Sequence, residues 1–156
     1  MILMADLYPE FDLSLLDESI ERKTEYKRSY YFDFNKMDFA LTGGNKVIES
    51  SGTDAWQQWC IKALLTKRYA CFAYSTDYGS EIIESINTTD RKEAESNIRR
   101  TIIETLTVDA RTERVDDFVF NWIGTDAVEV SCKIVGTDGQ TGLIDVKLGG
   151  ENAWQN

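Results

Sequence analysis

The sequence predicts an α+β fold, in which helices pack on one side of a mostly antiparallel sheet. Two segments carry helix-capping residues and apolar stripes, and three later segments alternate polar and apolar residues. A shorter alternating segment lies ahead of the first helix. At 156 residues the chain is long enough for one well-buried core. We therefore expect a single domain with an N-terminal hairpin and a C-terminal antiparallel meander.

The chain from Tyr30 to Leu41 has the pattern of a short β-hairpin. Aromatic and apolar residues alternate with polar ones on both sides of Asn35 and Lys36, and this polar pair suits a two-residue turn. A glycine-rich loop over residues 42–45 and a short strand over residues 46–49 complete this part of the chain.

The first helix is predicted to begin at Asp54, because Gln57 three positions later completes a capping-box-like start. Its apolar residues recur with helical spacing, and Trp56, Trp59 and Leu64 are expected to anchor the core.

The stretch over residues 69–74 is apolar on both faces, which predicts a buried central strand that begins with the core residue Tyr69. A turn over residues 75–80 follows, and Ser80 is suited to cap a short helix that reaches Ile86. In the turn we expect Gly79 to supply a positive φ and Tyr78 to pack over it. The alternative is that Asp77, Tyr78 and Gly79 form a recognition site for a partner.

A second helix is predicted from Asp90, with Glu93 completing its cap, to about Leu106. After Asp109 the apolar period changes from that of a helix to that of a strand. Three strands separated by glycine-containing turns at residues 124–126 and 136–139 then form the meander.

Composition excludes several classes of function. The chain has 17 basic and 27 acidic residues, a net charge of −10, so nucleic acid and anionic membranes are not expected partners. Histidine is absent, which removes the commonest metal ligand and the usual acid–base catalyst. The three cysteines fall at apolar positions and are interpreted as reduced core residues. We expect no cofactor and no metal.

Neither end of the chain has the sequence pattern of the predicted domain. Residues 1–26 are rich in carboxylates, contain the only proline and show no sustained period, so we interpret them as an acidic flexible or partner-ordered arm. They lack the basic leader of a secretory signal, and we expect a cytoplasmic location. Residues 150–156 are interpreted as a polar tail.

Residues 59–80 carry the motif W-x3-ALLT-x-RY followed by YS-x-DYGS. Together with the long capped helix and the strands after it, this motif resembles the tail-protein family of PBSX-like prophages. That family is similar to the gene-25 product of T-even phages and to the matching baseplate component of type VI secretion systems. The resemblance covers roughly residues 28–136, and it assigns residues 27–149 to a gene-25-like baseplate domain.

The gene-25-like group also has a Glu-Pro-Arg motif ahead of its last strands. Here that place reads Asp109-Ala110-Arg111, with Arg114 and Val115 shortly after, so the proline is missing. The resemblance implies that Asp109 and Arg111, and more weakly Arg114, dock on wedge partners. An arginine beside a carboxylate is suited to a bidentate contact with a carboxylate or carbonyl of a partner.

The resemblance implies a structural, non-enzymatic role in a contractile tail. The chain would be a wedge subunit of the baseplate, assembled in the host bacterial cytoplasm, on which sheath assembly begins. Its implied partners are wedge proteins, sheath subunits, and tail tube or hub proteins. A free strand edge could receive the sheath by β-augmentation, either at residues 115–135 or at residues 143–148.

Two alternatives remain open at this point. Carboxylates at Asp77, Glu81 and Glu84 admit a lysozyme-like, peptidoglycan-cleaving tail enzyme. Against it, acids at the start of a helix are ordinary on electrostatic grounds. The third interpretation is a stand-alone cytosolic adaptor that binds one partner.

Overall fold

The fold is an α+β domain, as the sequence predicts. The computed structural model describes residues 27–150, which form a small β-ribbon, two helices and a three-stranded antiparallel sheet. The predicted arm over residues 1–26 and residues 151–156 of the predicted tail lie outside the described residues.

The N-terminal ribbon, residues 29–50, pairs its strands antiparallel, β1 with β4 and β2 with β3. The hairpin turn covers residues 34–37 and is therefore longer than the two-residue turn predicted. It is longer because the carboxylate of Asp33 accepts hydrogen bonds from the amides of Asn35 and Lys36, at 3.0 and 3.2 Å, and so closes an Asx-type turn. The four strands are β1 (Ser29–Tyr30), β2 (Phe32–Asp33), β3 (Asp38–Phe39) and β4 (Glu49–Ser50).

Helix α1 spans Gly52–Leu65 and begins ahead of the predicted cap. Ser51 is its N-cap residue, and Asp54 lies inside the first turn, where its negative charge favours the helix dipole. Trp56 and Leu64 are fully buried, whereas Trp59 is partly buried at the edge of the core.

Residues 66–80 form a loop with no strand, so the predicted central strand at residues 69–74 is wrong. The amides of Ala70 and Tyr74 bond to carbonyls three residues earlier, and Tyr69 has a φ of 65°, which is incompatible with a strand. Tyr69 is 68% exposed and is not a core residue. Cys71 is also exposed, contrary to the expectation that all three cysteines are buried. An apolar run alone does not supply the neighbouring strand that would bury it.

The connection to the second helix contains only a short 3₁₀ helix, Glu84–Ile86, instead of the helix predicted from Ser80. Helix α2 spans Arg91–Thr107 and starts as predicted, because the Asp90 side chain accepts a hydrogen bond from the amide of Lys92 at 3.0 Å.

The meander forms the main sheet, in the order β5-β6-β7. Strand β6 is central and pairs with β7 through nine consecutive residue pairs without irregularity. Its pairing with β5 is interrupted between Asp116 and Val119, where Asp117 has a φ of 53°. These features are those of a β-bulge. The strands are β5 (Thr112–Ile123), β6 (Ala127–Gly136) and β7 (Thr141–Gly149).

Both helices pack on one face of the main sheet. Helix α2 lies against β5, where the guanidinium of Arg99 is 5.0 Å from the ring of Phe118. The indole N–H of Trp122 donates to the Glu95 carboxylate at 2.8 Å. These contacts fix the distal half of β5, while α1 covers the face at β7. The opposite face of the sheet is exposed.

Candidate partner-docking site

The acid–arginine motif lies in the tight connection between α2 and β5. After α2 ends, the amide of Asp109 bonds to the carbonyl of Leu106 at 3.3 Å, and the amide of Thr112 bonds to the carbonyl of Asp109 at 2.9 Å. Thr112 is then held from α1, because the indole N–H of Trp56 donates to its hydroxyl at 3.1 Å. The start of β5 is thus fixed by both helices.

Asp109 and Arg111 form a bidentate ion pair within the chain. Arg111 Nε lies 2.8 Å from Asp109 Oδ1, its Nη2 donates to Oδ2, and its own amide donates to Oδ1 at 2.9 Å. The side chain of Arg111 is only 18% exposed and that of Asp109 only 11%. Charge-assisted fork contacts of this kind are strong and directional. The pair therefore holds the arginine in a single orientation.

Trp59 connects this ion pair to the 66–80 loop. The guanidinium carbon of Arg111 is 5.5 Å from the centre of the Trp59 ring, a cation–π contact. The Tyr78 ring meets the same indole edge to face at 5.7 Å, and Tyr74 packs against Tyr78 at 4.9 Å. Arg111 and Tyr78, which sequence reasoning placed in two separate sites, thus contact the same tryptophan.

The role of Trp59 was missed by sequence reasoning, which assigned it to the core. The available signal was its position at the edge of the apolar stripe of α1, where a large side chain is only partly covered.

Burial sets the protonation of the groups around Trp59. It raises the pKa of the Tyr78 phenol. It also raises the pKa of the Cys60 thiol, and the nearby Asp109 carboxylate adds to that rise. Both groups are therefore neutral at pH 7, and Asp109 and Arg111 supply the charges of this site.

Arg114 lies apart from the buried pair, on the exposed surface of β5. Its side chain is 56% exposed, and its Nε donates to Asp116 at 2.6 Å, with a second contact to Glu113 at 3.3 Å. The hydrogen bond to Asp116 raises the pKa of the Arg114 guanidinium. The motif therefore has one largely buried arginine, Arg111, and one exposed arginine, Arg114.

Gly79 closes the 66–80 loop where two chain segments approach closely. The amide of Ser80 bonds to the carbonyl of Thr66 at 2.8 Å, and the amide of Arg68 bonds back to the Ser80 carbonyl at 3.1 Å. Gly79 has a φ of +100°, and a Cβ there would lie 2.9 Å from the oxygen of Thr66. The neighbouring Asp77 is exposed on the outer side of the turn.

Replacing Gly79 with alanine is expected to lower the free energy of unfolding by roughly 2–3 kcal/mol, because it adds backbone strain and a clash with the main chain. Chemical denaturation measures the change. The matched control is Gly43→Ala. A Cβ added at Gly43 would have no atom within 4 Å, and Gly43 has no positive φ. Equal stability of the two variants would contradict the role assigned to Gly79.

The sequence profile of the contractile injection system sheath initiator family matches residues 28–139. The chain belongs to this family. No match was found among curated proteins. Family membership confirms the resemblance drawn from the sequence and makes the chain a structural component of a contractile, phage-like tail. The matched residues contain the ion pair, Trp59 and the whole 66–80 loop, so the site described above lies inside the family domain.

The carboxylates Glu81 and Glu84 of this sheath initiator line an open polar cleft of about 260 Å³ beside α2. Arginines share the cleft, and Asp77 is not among its lining residues. Glu84 also lies 4.0 Å from the ammonium group of Lys67. Within residues 27–150 no cluster of acidic or cysteine side chains is arranged to hold a metal ion. None of the described helices has the length and apolar character needed to cross a membrane.

Proposed function

We propose that the chain is a wedge subunit of the baseplate, and that its strand β7 provides the edge on which sheath assembly begins. Membership of the sheath initiator family supports the general role. The observation that carries the finer assignment is the difference between the two edges of the main sheet.

The edge at β5 has the features with which proteins protect a strand from further pairing. It carries the bulge at Asp117 and four charged residues within 113–117. Charges and bulges both disfavour the addition of another strand. The edge at β7 has neither a bulge nor a break in register over its nine residues. An extended segment of a sheath subunit would therefore find its template at β7.

The hairpin between β6 and β7 determines which backbone groups face outward. The amide of Gly136 donates to the carbonyl of Gln140 at 2.7 Å, so this is a hydrogen-bonded pair. Hydrogen-bonded and non-hydrogen-bonded pairs alternate along an antiparallel ladder, so Gly142 and every second residue after it bond to β6. The amides and carbonyls of Leu143, Asp145 and Lys147 consequently point away from β6, to the open edge.

For docking on the wedge core, we assign Asp109, Arg111 and Arg114, with Arg114 as the exposed group that a partner would contact. The buried pair fixes the start of β5, and Arg114 extends from that strand with an exposed guanidinium. A partner carboxylate or carbonyl would meet a charge held in place before binding, which lowers the entropic cost of association. The partners proposed are other wedge proteins and, at β7, sheath subunits, with tube or hub proteins as further neighbours. Assembly would take place in the host cytoplasm before the chain becomes part of the finished baseplate.

Hydrogen exchange of assembled baseplates tests the edge assignment. On addition of sheath protein, the amides of Leu143, Asp145 and Lys147 should become protected, while those of the β5 edge keep their exchange rates. Baseplates without sheath protein serve as the reference. Protection at β5 alone would overturn the choice of edge, and unchanged exchange at both edges would overturn the initiating role.

A further inference from the structure

The N-terminal ribbon exposes an unusual amount of apolar side chain. Seven large apolar residues within it are 38–54% exposed. They form the ribbon patch: Tyr30, Tyr31, Met37, Phe39, Leu41, Val47 and Ile48. Apolar surface concentrated in this way is generally a contact surface.

Contacts within the ribbon show that the patch is preformed. The rings of Tyr30 and Phe39 meet edge to face at 6.5 Å, and Leu41 lies directly opposite Val47 in an antiparallel bridge. The ribbon is attached to α1 through Phe32, whose amide donates to the Gln58 side chain at 3.2 Å. The ribbon is therefore positioned by the domain and still presents its apolar residues outward.

The ribbon and the two residues ahead of it are less acidic than the rest of the chain. The ribbon itself has two basic and three acidic residues, and Lys27 and Arg28 directly before it add two positive charges, in a protein with a net charge of −10. Lys62 of α1 adds a further positive charge, 5.8 Å from the Phe32 ring. An occupant of this surface should combine apolar side chains with negative charge.

Residues 1–26 have that combination. They contain seven acidic and two basic residues, and they carry apolar side chains at Leu7, Tyr8, Phe11, Leu13, Leu15 and Leu16. Only two residues separate them from the ribbon, so their covalent connection gives them a high effective concentration at the patch. We propose that residues 1–26 of the chain dock on the ribbon patch of the same molecule. This inference does not depend on the proposed role in sheath initiation.

Hydrogen exchange of the full chain tests this docking. The variant Leu13→Ser/Leu15→Ser/Leu16→Ser removes apolar contacts outside residues 27–150, so it leaves the residues of the described domain unchanged. The amides of Tyr31, Ala40 and Ile48, which hold the ribbon together, should exchange roughly tenfold faster in this variant. The control Ser14→Ala/Ser19→Ala/Thr24→Ala changes the same segment and should exchange like the wild type.

A synthetic peptide of residues 1–26, added in excess to the leucine-to-serine variant, should restore slow exchange in the ribbon. Equal exchange in wild type and variant would overturn the proposal. So would wild-type protection that disappears on dilution, because it would indicate that a second copy covers the patch. Protection gained only when another tail protein is added would likewise overturn it and identify that protein as the occupant.

Discussion

Asp145→Pro is expected to impair sheath initiation strongly while the domain remains folded. The amide of Asp145 points to the open edge of β7, so proline removes a group that the sheath would use without removing a bond to β6. The lost hydrogen bond and the steric obstruction should weaken pairing by about 1–3 kcal/mol, or roughly 10- to 100-fold. The readout is the fraction of purified baseplates that polymerise added sheath protein, counted by electron microscopy.

The matched control is Asp145→Ala, which keeps the outward amide. Both substitutions remove the carboxylate that accepts a hydrogen bond from Ser131 at 2.5 Å, so loss of that bond affects them equally. Alanine should leave sheath initiation near the wild-type level. If the proline variant initiates sheath assembly as well as the alanine variant, and circular dichroism shows that both are folded, β7 is not the template.

Arg111→Ala is expected to lower the free energy of unfolding by about 3 kcal/mol, because it leaves the nearly buried Asp109 carboxylate without its ion-pair partner. The substitution also removes the guanidinium that packs over Trp59. Urea denaturation followed by tryptophan fluorescence measures the change in stability.

Arg114→Ala provides the control, since its contacts with Asp116 and Glu113 are exposed. We expect it to change the free energy of unfolding far less than Arg111→Ala does, because water screens these contacts. If Arg114 contacts a wedge partner, this variant should nevertheless bind isolated wedge complexes more weakly. A destabilisation as large as that of Arg111→Ala would show that the two arginines do not differ as described.

The elements predicted correctly are those whose signals are local. Helix α2 follows from Asp90 at its cap and from apolar residues at every fourth position, and the meander follows from alternation between glycine-containing turns. In both cases the residues that define the element also determine which face is buried. Such patterns can be read without knowledge of the rest of the fold.

The prediction of a strand over residues 69–74 failed because a buried strand requires neighbouring strands as well as an apolar sequence. The loop that contains this segment is instead closed by a hydrogen bond from the amide of Ser80 to the carbonyl of Thr66. Tyr69 and Phe72 consequently lie at the surface. Tertiary contacts decide this outcome, and periodicity does not report them.

The candidate site was only partly predictable for the same reason. The resemblance singled out Asp109 and Arg111 as docking residues, but it did not indicate that the two side chains pair with each other. That Arg111 and Tyr78 both contact Trp59 depends on the position of α1 relative to β5 and to the 66–80 loop. No sequence pattern in either segment specifies that position.

The difference between the edges of the main sheet also limits how many chains can associate with one molecule. With β5 interrupted by its bulge, the proposed pairing at β7 would give each copy a valency of one. Two copies that met through β7 would use the same surface on both sides, and that isologous contact closes at a dimer. Open-ended filaments need a second, different edge. The bulge in β5 therefore opposes uncontrolled self-association of a chain whose β7 edge is open.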